Sequence, residues 1–129
     1  MILLDTHALI WMSLEPRRLS EAASAAIVDA RSRSAVYVSD ITLWEIALLV
    51  QRGRIEITAT VDSFVHEIAA PVVVKPITPA IASMAVQFSQ SFPKDPADRL
   101  IGATAIVERL PLVTADEMLR KSDLLTTIW

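Results

Sequence analysis

Ile2-Leu3-Leu4-Asp5-Thr6-His7-Ala8-Leu9-Ile10-Trp11-Met12 is the stretch whose reading decides the fold. Three aliphatic residues without a polar interruption suit a strand covered on both faces. Asp5 then marks the C-terminal end of that strand and is a residue type that caps a helix, here Thr6–Met12. The same alternation recurs outward from this point. Val36–Val38, Val72–Val74 and Leu112–Val113 are further brief apolar runs, and Thr126–Trp129 suits an edge strand. Between them lie helical patterns over Glu21–Arg33 behind Ser20, Ile41–Gln51 behind Asp40, Val61–Ala70 behind Thr60, Ala80–Phe88 behind Thr78-Pro79, and Ala97–Arg109 behind Asp95-Pro96. Each start carries a capping side chain, and two place proline at the first helical position, where its missing N–H costs nothing. Strands alternating with helices predict an α/β fold, a three-layer α/β/α sandwich around a central parallel sheet of four to five strands. In such folds ligands gather beyond the C-terminal strand ends.

The chain has 129 residues, 53% of them hydrophobic, no cysteine, and a net charge of −3. That is one domain, residues 1–129, with the longest irregular stretch expected at Ser89–Asp95; it is neither a disulfide-stapled module nor a zinc-thiolate fold. Asp5 interrupts the apolar start, no run is long enough to span a bilayer, and Met1–Leu4 lacks the basic flank of a signal peptide, so a cytoplasmic protein is expected. An acidic total disfavours nucleic acid only if the acids are spread over the surface. Gathered in one pocket, they would hold cations instead.

Four acids fall at the expected ligand edge. Asp5 and Asp116 each follow a strand, and each either caps the next helix, Thr6–Met12 or Glu117–Lys121, or projects into a site. Asp98 is the third residue of the helix behind Asp95-Pro96, where the helix dipole alone would favour it. Gly102, one turn further on the same face, costs about 1 kcal/mol in a helix interior and leaves room for a strand end or ligand. Glu45 sits among Ile41, Leu48 and Leu49, either costly unless paired or with its stem on apolar surface and its head in water. Asp29, Asp62, Glu67, Glu108 and Asp123 lie within or beyond helices, as solvated charges do.

Leu4-Asp5-Thr6-His7-Ala8-Leu9-Ile10-Trp11, Ser39-Asp40-Ile41-Thr42-Leu43-Trp44-Glu45-Ile46, Asp95-Pro96-Ala97-Asp98-Arg99-Leu100-Ile101 and Thr114-Ala115-Asp116 together resemble the PIN-domain ribonucleases, most closely the VapC-type toxins of type II toxin–antitoxin pairs. The segments stand in the family's order and span essentially the whole chain. The resemblance implies a PIN-like sandwich and an acidic quartet at Asp5, Glu45, Asp98 and Asp116. It adds a supporting hydroxyl at Thr114, a further acid at Asp95, a homodimer, and inhibition by a small antitoxin that inserts into the active groove. The small size with no appended domain suits a toxin.

Oxygen-only donors suit a hard ion, Mg2+ or Mn2+. With such an ion, the resemblance implies hydrolysis of an RNA phosphodiester by an activated water, leaving 5′-phosphate and 3′-hydroxyl ends. Asp5 and Asp98 are the expected direct ligands, with Glu45 and Asp116 direct or through water. His7, in a first helical turn, reads as a packing or capping residue, His66 as helix surface, and Trp11 and Trp44 as core or dimer contacts rather than base platforms. Arg17, Arg18, Arg31, Arg33, Arg52, Arg54, Lys94 and Arg99 are the cations available to RNA. Arg99, beside Asp98, and Arg52 and Arg54, flanking Gly53, are the preferred ones, for phosphate or, for the latter two, antitoxin carboxylates. A haloacid-dehalogenase-type phosphatase needs a second acid where His7 stands, and two isolated glycines make no phosphate-cradling loop. A PIN-fold RNA-processing nuclease and a non-catalytic module with an acidic pocket remain as alternatives.

Overall fold

The computed structural model describes residues 1–129. Five parallel strands form one sheet in the order β3-β2-β1-β4-β5: β1 Ile2–Leu4, β2 Val36–Ser39, β3 Val73–Lys75, β4 Leu112–Val113 and β5 Thr127–Ile128. Helices α1 Thr6–Leu14, α2 Glu21–Arg31, α3 Asp40–Gln51, α4 Val61–Ala69, α5 Pro79–Gln87, α6 Pro96–Val107 and α7 Glu117–Arg120 connect them, with a turn of 3-10 helix at Pro16–Arg18 that the sequence did not signal.

The apolar strands separate two cores, as a sheet covered on both faces requires. Ile2, Leu4, Val36, Val38 and Val113 point to the side packed by α1 to α4 through Leu9, Ile27, Ile46 and Ile68. Leu3 and Leu112 point to the other, against Ile81, Ile101 and Leu119 of α5, α6 and α7. The expected Val72–Val74 strand lies one residue later and is not buried on both faces: as the sheet edge it leaves Val73 exposed, and Lys75 lies over the Tyr37 ring. The longer irregular segment is 52–60 rather than Ser89–Asp95.

Two helices stop short of their predicted ends for one reason. The chain turns left-handed at Ser34 (φ 52°) and Arg109 (φ 55°), and the next amide reaches back to the helix, Ala35 to the Ala30 carbonyl and Leu110 to that of Ala105, each at 2.9 Å. Glycine normally signals this ending. It does so only after α3, where Gly53 has φ 72° and Arg54 donates to the Leu49 carbonyl at 2.8 Å.

Gly102 makes room for neither a strand end nor a ligand. A Cβ there would lie 2.7 Å from Phe92 Cζ, and the ring of Phe92 stacks on Phe88 with centroids 3.9 Å apart. The glycine therefore lets this aromatic pair press on α6 and close the core beneath the 88–95 segment.

Candidate active site

Strand order reverses direction between β1 and β4, where the crevice of a parallel sheet opens. A cleft of about 460 Å³ lies there, lined by Asp5, Thr6, His7, Trp11, Arg18, Glu45, Asp95, Asp98, Ile101, Ala115 and Asp116. The fold thus brings together Asp5 from the end of β1, Asp116 from beyond β4, Glu45 from α3, and Asp95 and Asp98 from the start of α6. Thr114 stands behind them, fully buried.

Capping and cleft lining coexist in three of these acids. Asp5 Oδ1 accepts from the Ala8 amide at 2.9 Å, Asp95 Oδ1 from Ala97 and Asp98 at 2.8 and 3.2 Å, and Asp116 Oδ1 from Met118 and Leu119 at 2.9 and 3.0 Å. One oxygen of each carboxylate fixes its orientation on a helix start, and the same group borders the cleft. Thr114 links two of them: its hydroxyl donates to Asp5 Oδ2 and accepts from the Asp116 amide at 3.0 Å. Glu45 is held by a residue that the motif contained without singling it out. The Thr6 hydroxyl donates to Glu45 Oε1 and lies 3.1 Å from the Thr42 hydroxyl, tying α1 to α3.

Burial raises the pKa of Asp5, against the hydrogen bonds from Thr114 and Ala8 that lower it. Glu45 is raised by burial first, with Asp95 and Asp5 adding to it and the Thr6 hydroxyl opposing. Asp98 is pushed up to about 7, by burial and then by the charges of Asp95, Asp116, Glu45 and Asp5. Like charges confined in a partly desolvated cleft resist simultaneous ionisation, and a cation would relieve them. The donors are oxygens, which suits a hard divalent ion. As they stand, no three of these side chains converge closely enough to hold a metal ion. The fit therefore lies in donor type and crowded charge, not in a finished cage.

Other candidate residues are distributed differently. Arg99 does not line the cleft: its guanidinium donates to the carbonyls of Phe88 at 3.0 Å and Ser89 at 3.1 Å, with Ala85 and Phe92 each at 3.5 Å. It ties α6 to the turn after α5. Arg52 and Arg54 are exposed on the Gly53 turn, outside the cleft. His7 neither packs in the core nor caps a helix; it is exposed at the cleft wall with its ring 5.8 Å from that of Trp11. Trp11 is half-buried against Trp129, whereas Trp44 is 59% exposed and belongs to no core. His66 lies on the surface beside Asp62, as read. Asp40, expected to cap α3, is its first residue; Ser39 caps, and Asp40 accepts from the Ile77 amide at 3.2 Å.

Comparison with known proteins agrees with this architecture. A family model described as PIN domain matches residues 2–124. The chain is 45% identical over 119 residues to Ribonuclease VapC22 of Mycobacterium tuberculosis, covering 92% of this chain and 89% of that one. Among solved structures it resembles VapBC2 from Rickettsia felis bound to a promoter DNA fragment (TM-score 0.75, 15% identity, 98% and 97% of the two chains). FitAcB from Neisseria gonorrhoeae is also similar (TM-score 0.70, 24% identity, 98% and 96%). These two likenesses speak for the fold. No helix is long and apolar enough to cross a membrane.

Proposed function

The chain belongs to the PIN-domain family, and from that premise we infer that it is a ribonuclease, the toxin of a toxin–antitoxin pair, dependent on Mg2+ or Mn2+. The observation that carries this reading is the meeting of five carboxylates from four separate segments in one cleft at the reversal point of the sheet. Residues 1–129 act as one domain in it. Asp5 and Asp98 are assigned as direct ligands, with Glu45 and Asp116 direct or through water. Thr114 keeps Asp5 turned into the cleft, and Asp95 adds charge beside Asp98. The ion, when bound, supplies Lewis acidity toward a phosphate oxygen and lowers the pKa of a water. The acids themselves place that centre at the strand ends, and their crowded charge is what a bound cation would neutralise.

Partner assignments follow the relatives. A small antitoxin is expected to cover the cleft, as the resemblance to VapC-type toxins implies, and a second copy of the chain to cover Trp44 on α3. Arg52 and Arg54, exposed outside the cleft, are assigned to RNA or antitoxin; Arg99, spent on four carbonyls, organises the turn after α5. With the four quartet acids set apart, the rest of the chain carries +1, so RNA binding should depend on the ion.

Incubation with diverse RNAs in Mg2+, Mn2+ or EDTA tests the activity: cleavage only with metal and 5′-phosphate ends are expected, and 2′,3′-cyclic phosphate products would sink the mechanism. Induction in cells without a partner should arrest growth, and Asp5→Asn should restore it. Equal growth of both would count against the toxin role.

A further inference from the structure

We propose that Arg18 is a substrate-positioning residue, whose guanidinium, stacked on Trp11 at the cleft wall, grips the RNA phosphate adjoining the one that is hydrolysed. This rests on the ribonuclease reading above. Among the cleft-lining side chains Arg18 is the one Lys or Arg, set among five acids. Its charge is not spent on them, because its ion pair is instead with Glu15, at 3.8 Å between exposed side chains. Such a pair is worth little in water and yields readily to a better anion.

The guanidinium is nevertheless held. Its Cζ lies 4.7 Å from the centroid of the Trp11 ring, and Trp11 is itself packed against Trp129 at 5.6 Å and His7 at 5.8 Å. The backbone is fixed by the Pro16–Arg18 turn, in which the Arg18 amide donates to the Glu15 carbonyl at 3.0 Å. Contact with the ring face restrains the guanidinium without using its N–H groups, so less freedom is lost when an oxyanion binds. Trp11 is thereby committed to carrying Arg18 rather than to stacking a base. An acidic peptide could also meet a guanidinium, but it brings no phosphodiester to the carboxylates. A strand docked for hydrolysis carries its next phosphate along the same cleft by necessity.

The test uses the full chain with Asp98→Asn in excess Mg2+, which the remaining cleft acids still hold while RNA is expected to stay uncut, and a short fluorescein-labelled single-stranded RNA of mixed sequence, read by anisotropy over a salt series. Adding Arg18→Ala is expected to weaken binding about tenfold, the loss of one charge-assisted contact partly open to water. The slope of log affinity against log salt should fall by about 0.7, one phosphate on a single strand. Arg18→Gln, which keeps the stem on Trp11, should lose the same slope, and Arg18→Lys should keep the slope without full affinity. In the cleavage-competent chain the loss should fall on KM more than on kcat. Folded Arg18→Ala and Arg18→Gln chains with the parental slope overturn the proposal. Retained RNA affinity with lost affinity for a glutamate decapeptide also overturns it, in favour of a protein carboxylate as the occupant. Failure of the unsubstituted chain to cut RNA in Mg2+ or Mn2+ overturns the ribonuclease reading instead.

Discussion

Replacing Asp98 by Asn should make the ion-free protein more stable, and increasingly so as pH rises. The unfolded chain ionises Asp98 near 3.8, whereas the fold holds its proton up to about 7. Between those values the folded state carries the extra proton, so this group's contribution is complete below 3.8 and is lost as pH rises through 7. At about 1.4 kcal/mol per unit the full span approaches roughly 4 kcal/mol. Solvent on the open side of the cleft screens part of that, which leaves about 2 kcal/mol between about pH 5 and pH 8. Urea unfolding in EDTA across that range is the assay. The stability of Asp98→Asn relative to the parent should climb by about that amount, well outside the 10–15% uncertainty of the extrapolation. Excess Mg2+ at the alkaline end should then stabilise the parent more than the variant, since a ligand bound only by the folded state adds to its stability. Parallel stabilities of the two chains across the range would refute the reasoning, because the cleft acids would then not be crowded.

Three further substitutions probe how the site is supported. Thr114→Val removes the donor to Asp5 and the acceptor of the Asp116 amide; RNA cleavage should fall about 10–100-fold, as when the partner of a metal ligand is lost, and denaturant unfolding should show a loss of about 1–3 kcal/mol. Gly102→Ala gains about 1 kcal/mol of helix propensity but sets a methyl 2.7 Å from Phe92 Cζ, and overpacking of about 1–3 kcal/mol should win; a raised thermal midpoint would contradict this. Arg99→Ala strips up to four carbonyls of a donor and should cost about 1–3 kcal/mol, while the salt dependence of RNA binding stays that of the parent.

Local chemistry carried much of the fold. Short apolar runs that end in a capping acid announce a strand leaving the sheet and a helix starting, so β1, β4, α1 and α7 stand where the pattern put them. Helix ends were less legible, because Ser34 and Arg109 adopt the left-handed turn without the glycine that normally betrays it. The acids Asp5, Glu45, Asp98 and Asp116 were also visible in the sequence, but as a choice between capping and site. A carboxylate has two oxygens, and in Asp5, Asp95 and Asp116 the helix start occupies one while the cleft receives the group.

The sequence by itself therefore determined which residue types lie at the C-terminal strand ends, because strand length, caps and helix period are local. Only the tertiary structure decided which charges share a space. It spends Arg99 on carbonyls and stacks Arg18 on Trp11. It fills the gap at Gly102 with Phe92 and raises Asp98 to about 7, first by burial and then by the charges of Asp95, Asp116, Glu45 and Asp5. Coulomb energy and desolvation depend on distance and exposure, and neither is set until the segments pack.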